Sequence, residues 1–159
     1  MFVSVNYDNV ITNCEMLSQY EGRDYYGEDG GSLYLQVKIT GQDHDLIRTY
    51  INDGAKKMED LISRLITFSE YNSSGFKWTL RTEETRFKYF KMGDMLIKIL
   101  SSYVMGKWLD GRKSDRKEAY EAMFAEECEH FRKSLLYKSP PVHGKKAGYN
   151  YDTIISTKK

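Results

Sequence analysis

The residues best placed for chemistry lie on a predicted C-terminal helix, where Glu126, Glu127 and His130 fall within one turn. Glu127-x-x-His130 is the half-motif with which helices of carboxylate-bridged di-metal bundles present two ligands to one side. Such a centre needs a second Glu-x-x-His and further glutamates on facing helices, and the chain contains no second copy of the motif. We therefore expect a charged, solvated helix face here and no metal site.

A second group of possible ligands is His44, which stands between Asp43 and Asp45 at a predicted helix start. Successive helical side chains diverge by about 100° and do not converge easily on one ion. Aspartates at a helix start instead cap it and complement its dipole. Capping therefore explains this group better than metal binding.

The remaining candidates for chemistry are sparse. The acidic, glycine-rich loop with Asp24, Glu28 and Asp29 does not match the spacing of a twelve-residue calcium loop. Cys14 and Cys128 have no base nearby in sequence, and two cysteines are too few for a disulfide framework. We expect two reduced thiols, no cofactor and no enzymatic activity.

A run of alternating cations and aromatic residues follows at positions 76–91. Such a pattern is typical of surfaces that stack bases and contact phosphates, although a strand–helix junction with buried aromatics would read the same way. The cations, which we regard as candidate nucleic-acid contacts, are Lys77, Arg81, Arg86, Lys88 and Lys91. A second basic cluster at 112–117 is balanced by neighbouring acids, so we expect a solvated face there.

The first half of the chain must position these residues through one short and one long helix. Apolar spacing predicts a helix over residues 5–20, capped by Asn6 or Asp8, and then a loop over 21–32. Alternation of apolar and polar residues predicts a strand over 33–39. An amphipathic helix with an apolar stripe then extends from Asp43 to Phe68, with Thr40 and Asp43 as a capping-box variant.

The second half is predicted to contain another strand and two helices. Alternation places the strand at 76–82, apolar spacing places a helix over 83–109, and Ser114 caps a fourth helix that Pro140 and Pro141 stop. The fold class is therefore mainly α: a four-helix bundle-like domain with two short strands over residues 1–139, followed by an extended basic tail over 140–159.

The length and the net charge of the chain agree with a single domain of ordinary size. The chain has 159 residues and a formal net charge of +1, which argues against a protein dedicated to coating DNA. No run reaches the roughly 18 apolar residues of a membrane helix, and the N-terminus lacks the pattern of a signal peptide. We expect no membrane partner.

The stretch from Leu33 to Phe68 resembles the helical head–tail connector (adaptor or neck) proteins of tailed bacteriophages. That family shows a short extended run, acidic residues and then a helix of related pattern. The matching positions here are Asp43, Leu46, Ile47, Tyr50, Ile51, Ala55, Met58 and Glu59. A later apolar helix that ends near a basic turn, Leu96 to Arg112, is also similar, and the resemblance covers roughly half the chain. The N-terminal helix and loop, the strand at 76–82 and the extra C-terminal helix with its basic tail depart from it.

The resemblance implies a non-catalytic virion protein, assembled in the host cytoplasm. Its copies would form a homo-oligomeric ring between portal and tail proteins, with DNA passing through the lumen without sequence recognition. A nucleic-acid-binding or regulatory helical protein that uses the run at 76–91 is the alternative. Strand addition and tail docking would supply the contacts between partners. The candidate partner-binding residues are Phe76, Trp78, Leu80, Pro140, Pro141, Tyr149, Tyr151, Ile154 and Ile155.

Overall fold

The computed structural model describes residues 1–81 and 89–136, with the backbone alone described at 89–91. Its elements in chain order are β1 (Phe2–Asn6), α1 (Tyr7–Gly22), α2 (Tyr34–Val37), α3 (His44–Leu61), β2 (Ile66–Tyr71), β3 (Gly75–Leu80), α4 (Tyr89–Trp108) and α5 (Ser114–Leu136). The mainly α fold class with four long helices is confirmed. The predicted tail at 140–159 lies outside the described residues.

The strands form one antiparallel sheet in the order β1-β3-β2. β2 and β3 are a hairpin, closed by the Asn72 side chain, whose oxygen accepts hydrogen bonds from the backbone N–H groups of Ser74 and Gly75 at 2.9 Å. β1 then pairs with β3 from the other side, with Val3 opposite Trp78. Gly75 is required at this crossing, because a Cβ there would lie 2.1 Å from the Val5 carbonyl oxygen.

The core lies between the inner face of this sheet and the helices. Alternation along β3 turns Phe76, Trp78 and Leu80 inward, where each is at most 2% exposed. α4 is the central helix, since it contacts α1, α3, α5 and β1. Its buried side chains, such as Leu96 and Leu100, therefore meet several elements at once.

The helix starts follow their predicted chemistry. The Asn6 side chain accepts a hydrogen bond from the backbone N–H of Asp8 at 2.8 Å, which caps α1. Before α3, the Asp43 carboxylate accepts hydrogen bonds from the backbone N–H and the hydroxyl of Thr40, both at 2.8 Å. The capping-box prediction is confirmed.

The predicted strand over 33–39 is wrong, because this segment forms the single helical turn α2. Val37 and Ile39 are buried as the alternation implies, but Leu35 is 81% exposed. The backbone bonds to helix side chains instead of to a strand. The indole of Trp108 donates to the Val37 carbonyl at 2.6 Å, and the Ile39 N–H donates to the Ser18 hydroxyl at 2.9 Å.

The predicted end of the helix that starts at Asp43 is also wrong. α3 stops at Leu61, and residues 66–71 form β2. The β-branched and aromatic residues of this segment suit a strand, and pairing with β3 satisfies their backbone groups. Of the three strands in the sheet only β3 was predicted, because β1 and β2 both fall in segments that were predicted to be helix or left unassigned.

Candidate functional site

The predicted partner-binding strand occupies the centre of the sheet. β3 is hydrogen-bonded to β1 on one edge and to β2 on the other, so neither edge can accept a neighbour's strand. Phe76, Trp78 and Leu80 are core residues and do not reach a partner. The expectation of strand addition at 76–82 is therefore corrected. The free strand edges in the described chain belong to β1 and β2.

The aromatic residues of the basic run that the structure describes are buried. Phe76 and Trp78 pack against each other with ring centroids 4.7 Å apart inside the core, so they cannot stack bases in this fold. Lys77 and Arg81 are exposed, and the Lys77 ammonium lies 4.7 Å from the centroid of the Phe2 ring. Arg86, Lys88 and the side chain of Lys91 lie outside the described residues.

The candidate tail contacts fall beyond the last described residue, Leu136. They are Pro140, Pro141, Tyr149, Tyr151, Ile154 and Ile155.

The Glu127-x-x-His130 half-motif lies beside a groove between α4 and α5. Both Glu127 oxygens are engaged, one by the Lys98 ammonium at 2.8 Å and the other by the Ser102 hydroxyl at 3.2 Å. The groove has a volume of about 500 Å³ and is lined by Met95, Lys98, Ile99, Met123, Glu126, Glu127 and His130. Within the two described ranges, no group of three or more His, Cys, Asp or Glu side chains could hold a metal ion.

His44 links α3 to α1 instead of bridging its two neighbouring aspartates. Its Nε2 lies 2.7 Å from a carboxylate oxygen of Glu15 on α1. Asp43 is engaged with Thr40 as described, so the acidic start of α3 is a cap, as predicted.

The basic cluster at 112–117 is organised by a residue that the sequence analysis overlooked. Glu21, at the end of α1 and 3% exposed, accepts hydrogen bonds from the Arg116 guanidinium at 3.0 Å and the Tyr120 hydroxyl at 3.0 Å. Lys113 lies 3.4 Å from the same carboxylate, and Lys117 pairs with Asp110 at 3.1 Å. These cations stabilise a helix junction.

The two thiols are buried in the core. Burial raises the pKa of Cys14 to about 12, against a weaker opposing effect of a hydrogen bond to Ser101. Burial, followed by the charge of Glu127, raises the pKa of Cys128 to about 12. A nucleophilic thiol needs a lowered pKa, so neither cysteine has that property.

The outer face of the sheet carries an exposed apolar group that the sequence analysis missed. Thr79 of β3 lies opposite Phe2 of β1 and Phe68 of β2, so the three side chains form one row across the strands. Both phenylalanines are 55% exposed. We call this row the sheet patch. Its members are distant in sequence, so only the strand pairing brings them together.

Three further exposed apolar side chains lie on two helices of the helical layer. Met16 and Tyr20 are one turn apart on α1 and are 60% and 72% exposed, and Leu35 projects from α2, which contacts α1. We call these three residues the helical patch. The sheet patch faces away from the helices, so the two patches belong to different sides of the domain.

Among the helices of the described chain, none combines the length and apolarity needed to cross a membrane. Comparisons of the chain with family models, curated proteins and solved structures give no match.

Proposed function

We propose that this chain is a structural virion protein, a head–tail connector (adaptor) whose copies form an oligomeric ring between the portal and the tail of a bacteriophage. Its task would be to bind like subunits and portal and tail proteins while DNA passes through the lumen. The resemblance of α3 to the connector helix supports this proposal. Its apolar positions Ile47, Ile51, Ala55 and Met58 are buried, so the resemblance concerns the scaffold of the domain.

The observation that carries the proposal is the presence of two unlike exposed apolar patches on different layers. A ring is built by heterologous contacts, in which one surface of a subunit meets a different surface of the next. The sheet patch and the helical patch meet that requirement, whereas a two-fold dimer needs only one self-complementary surface. Large exposed apolar groups mark interaction sites more often than solitary exposed residues do.

Burial of the side chains in the two patches would favour assembly. Full burial of one phenylalanine side chain contributes roughly 1.5–3 kcal/mol, and each patch offers at least two large apolar side chains. Hot-spot residues of interfaces are enriched in aromatic side chains for this reason. Tyr20 adds a ring with a polar edge that tolerates water before assembly.

The test uses two charge substitutions, Phe68→Glu in the sheet patch and Leu35→Glu in the helical patch. If the patches meet head to tail, each variant alone is monomeric, because no intact sheet patch can find an intact helical patch. Mixed in equal amounts, the variants form a heterodimer and nothing larger, because only one complementary pair remains. Native mass spectrometry distinguishes these species from the ring of the unaltered chain.

Met123→Glu is the matched control, since Met123 is 40% exposed and lies in neither patch. It should leave the ring intact. Since all three positions are exposed, each substitution should change the free energy of unfolding by only about 0.5 kcal/mol. A monomeric unaltered chain, or a ring that survives both patch substitutions, would contradict the proposal. Dimerisation of the Leu35→Glu variant alone would show that the subunits associate as a two-fold dimer through the sheet patch and not as a ring.

A further inference from the structure

Two lysines from different helices lie over one buried tyrosine. The ammonium of Lys57 on α3 is 5.1 Å from the centroid of the Tyr103 ring on α4, and that of Lys107 is 5.9 Å away. Phe124 of α5 packs on the same ring, with centroids 4.9 Å apart. Together with Glu121 these side chains line a cavity of about 230 Å³.

The charges of this cavity are incompletely matched. Neither lysine forms an ion pair with a carboxylate in the described chain, whereas Lys98, Lys113 and Lys117 each do. Glu121 lies 3.9 Å from Lys117, so its charge is shared with a cation outside the cavity. Asp53 and Asp60, one turn before and one turn after Lys57, are both exposed.

The aromatic floor of the cavity is fixed in place. A Cβ on Gly54 would lie 2.8 Å from Cδ1 of Tyr103, so α3 approaches the ring as closely as its backbone allows. Tyr103 is 8% exposed and held between α3 and α5. The two ammonium groups therefore lie 5.1 Å and 5.9 Å from the centroid of one ring that the neighbouring helices hold in place.

We infer that this cavity binds a phosphate group. Lysine ammonium groups act as point charges toward phosphate oxygens, and two of them can contact one phosphate from different sides. The group could come from the backbone of a nucleic acid crossing the surface or from a free small phosphate, since both present the same oxygens. The phosphate site does not depend on the proposed ring, because all its residues belong to one subunit.

The experiment compares two double variants of the full chain. Lys57→Gln/Lys107→Gln removes both ammonium groups of the cavity. Lys56→Gln/Lys133→Gln makes the same charge change at exposed positions elsewhere, on α3 and α5. The probes are inorganic phosphate, followed by calorimetry, and a short DNA duplex, followed by fluorescence anisotropy across a salt series.

We expect the cavity variant to weaken binding of the responding probe at least tenfold and the control variant to weaken it less than threefold. If the probe is DNA, the salt slope of log K should become shallower by roughly 0.9, the change for one phosphate that is no longer neutralised. A response to the duplex assigns the site to a nucleic-acid backbone, and a response to inorganic phosphate alone assigns it to a small phosphate. No binding of either probe, or equal losses in both variants, would overturn the inference.

Discussion

Glu21 and Arg116 form a two-pronged ion pair across 95 positions of the chain. The guanidinium Nε and Nη2 atoms each lie 3.0 Å from a different oxygen of the Glu21 carboxylate. Lys113 adds a hydrogen bond to the Glu21 carbonyl oxygen at 2.9 Å. The last turn of α1 is thereby fastened to the start of α5, at the junction where α4 turns into α5.

The first prediction is that Glu21→Gln destabilises the fold. The amide keeps the size of the side chain but removes the charge that both Arg116 and Lys113 face. A buried pair that loses one partner costs several kcal/mol, and here the partly exposed Arg116 can regain water. We expect a loss of about 2 kcal/mol in the free energy of unfolding, measured by urea denaturation at pH 7.

The control for this prediction is Glu129→Gln. Glu129 makes the same two-pronged contact with Arg132, at 2.9 Å for both bonds, but on the exposed side of α5. Water screens exposed pairs, so we expect this variant to lose less stability than Glu21→Gln. Equal losses in the two variants would show that burial is not what makes the Glu21 contact important.

The second prediction concerns pH. Burial raises the pKa of the Glu21 carboxyl, but the hydrogen bonds from Arg116 and Tyr120 and the charge of Arg116 outweigh it, and the pKa is held below its usual range. The stability from this group is present above the unfolded-state pKa of about 4.3 and is lost as pH falls through the lower folded-state value. The stability difference between the unaltered chain and Glu21→Gln should therefore narrow as the pH falls below about 4.3, measured as melting temperatures. A constant difference over this range would contradict the assignment.

Local features of the fold were predictable, and pairings were not. The caps at Asn6 and Thr40 and the α1 and α5 helices depend on neighbours within a few positions, so the sequence reveals them. β1 depends on a strand about 70 positions further along the chain, which no local pattern indicates. At 33–39 the alternation correctly indicated that Val37 and Ile39 are buried, but Leu35 is 81% exposed, and the Val37 carbonyl bonds to Trp108 and not to a strand.

In the candidate sites, too, local patterns were predictable and contacts between distant segments were not. β3 was predicted from its alternation, but whether Trp78 faces a partner or the core depends on the layers around it. The cluster at 112–117 was expected to balance its own charges, and Lys117 with Asp110 does so. Arg116 and Lys113 instead pair with Glu21, a residue predicted to lie in a loop. Glu21 lies 92 positions before Lys113 and 95 before Arg116, so no local pattern indicates it as their acceptor.

The third prediction is that Gly54→Ala destabilises the fold whereas Gly93→Ala does not. The new methyl group at 54 would lie 2.8 Å from the Tyr103 ring and 3.2 Å from Leu100, so α3 and α4 must move apart. Overpacking costs typically 1–3 kcal/mol, which exceeds the roughly 1 kcal/mol that alanine adds to helix stability. Among the residues that the structure describes, the atom nearest to a Cβ at position 93 would be 3.8 Å away, so we expect only the helix gain there. Thermal unfolding followed by circular dichroism should show opposite shifts, and two upward shifts would mean that α3 relaxes freely.

The fourth prediction is that both cysteines are unreactive in the native protein. Cys14 is fully buried and Cys128 is 5% exposed, and the pKa of each thiol is about 12. At pH 8 only about one thiol in 10⁴ would be ionised, and the thiolate is the reacting form. With a chromogenic disulfide reagent we expect no release in native buffer and two equivalents in urea, where the pKa returns to about 8.5. Rapid release of one equivalent without denaturant would contradict the burial of that cysteine, and Cys14→Ser and Cys128→Ser variants would identify which one reacts.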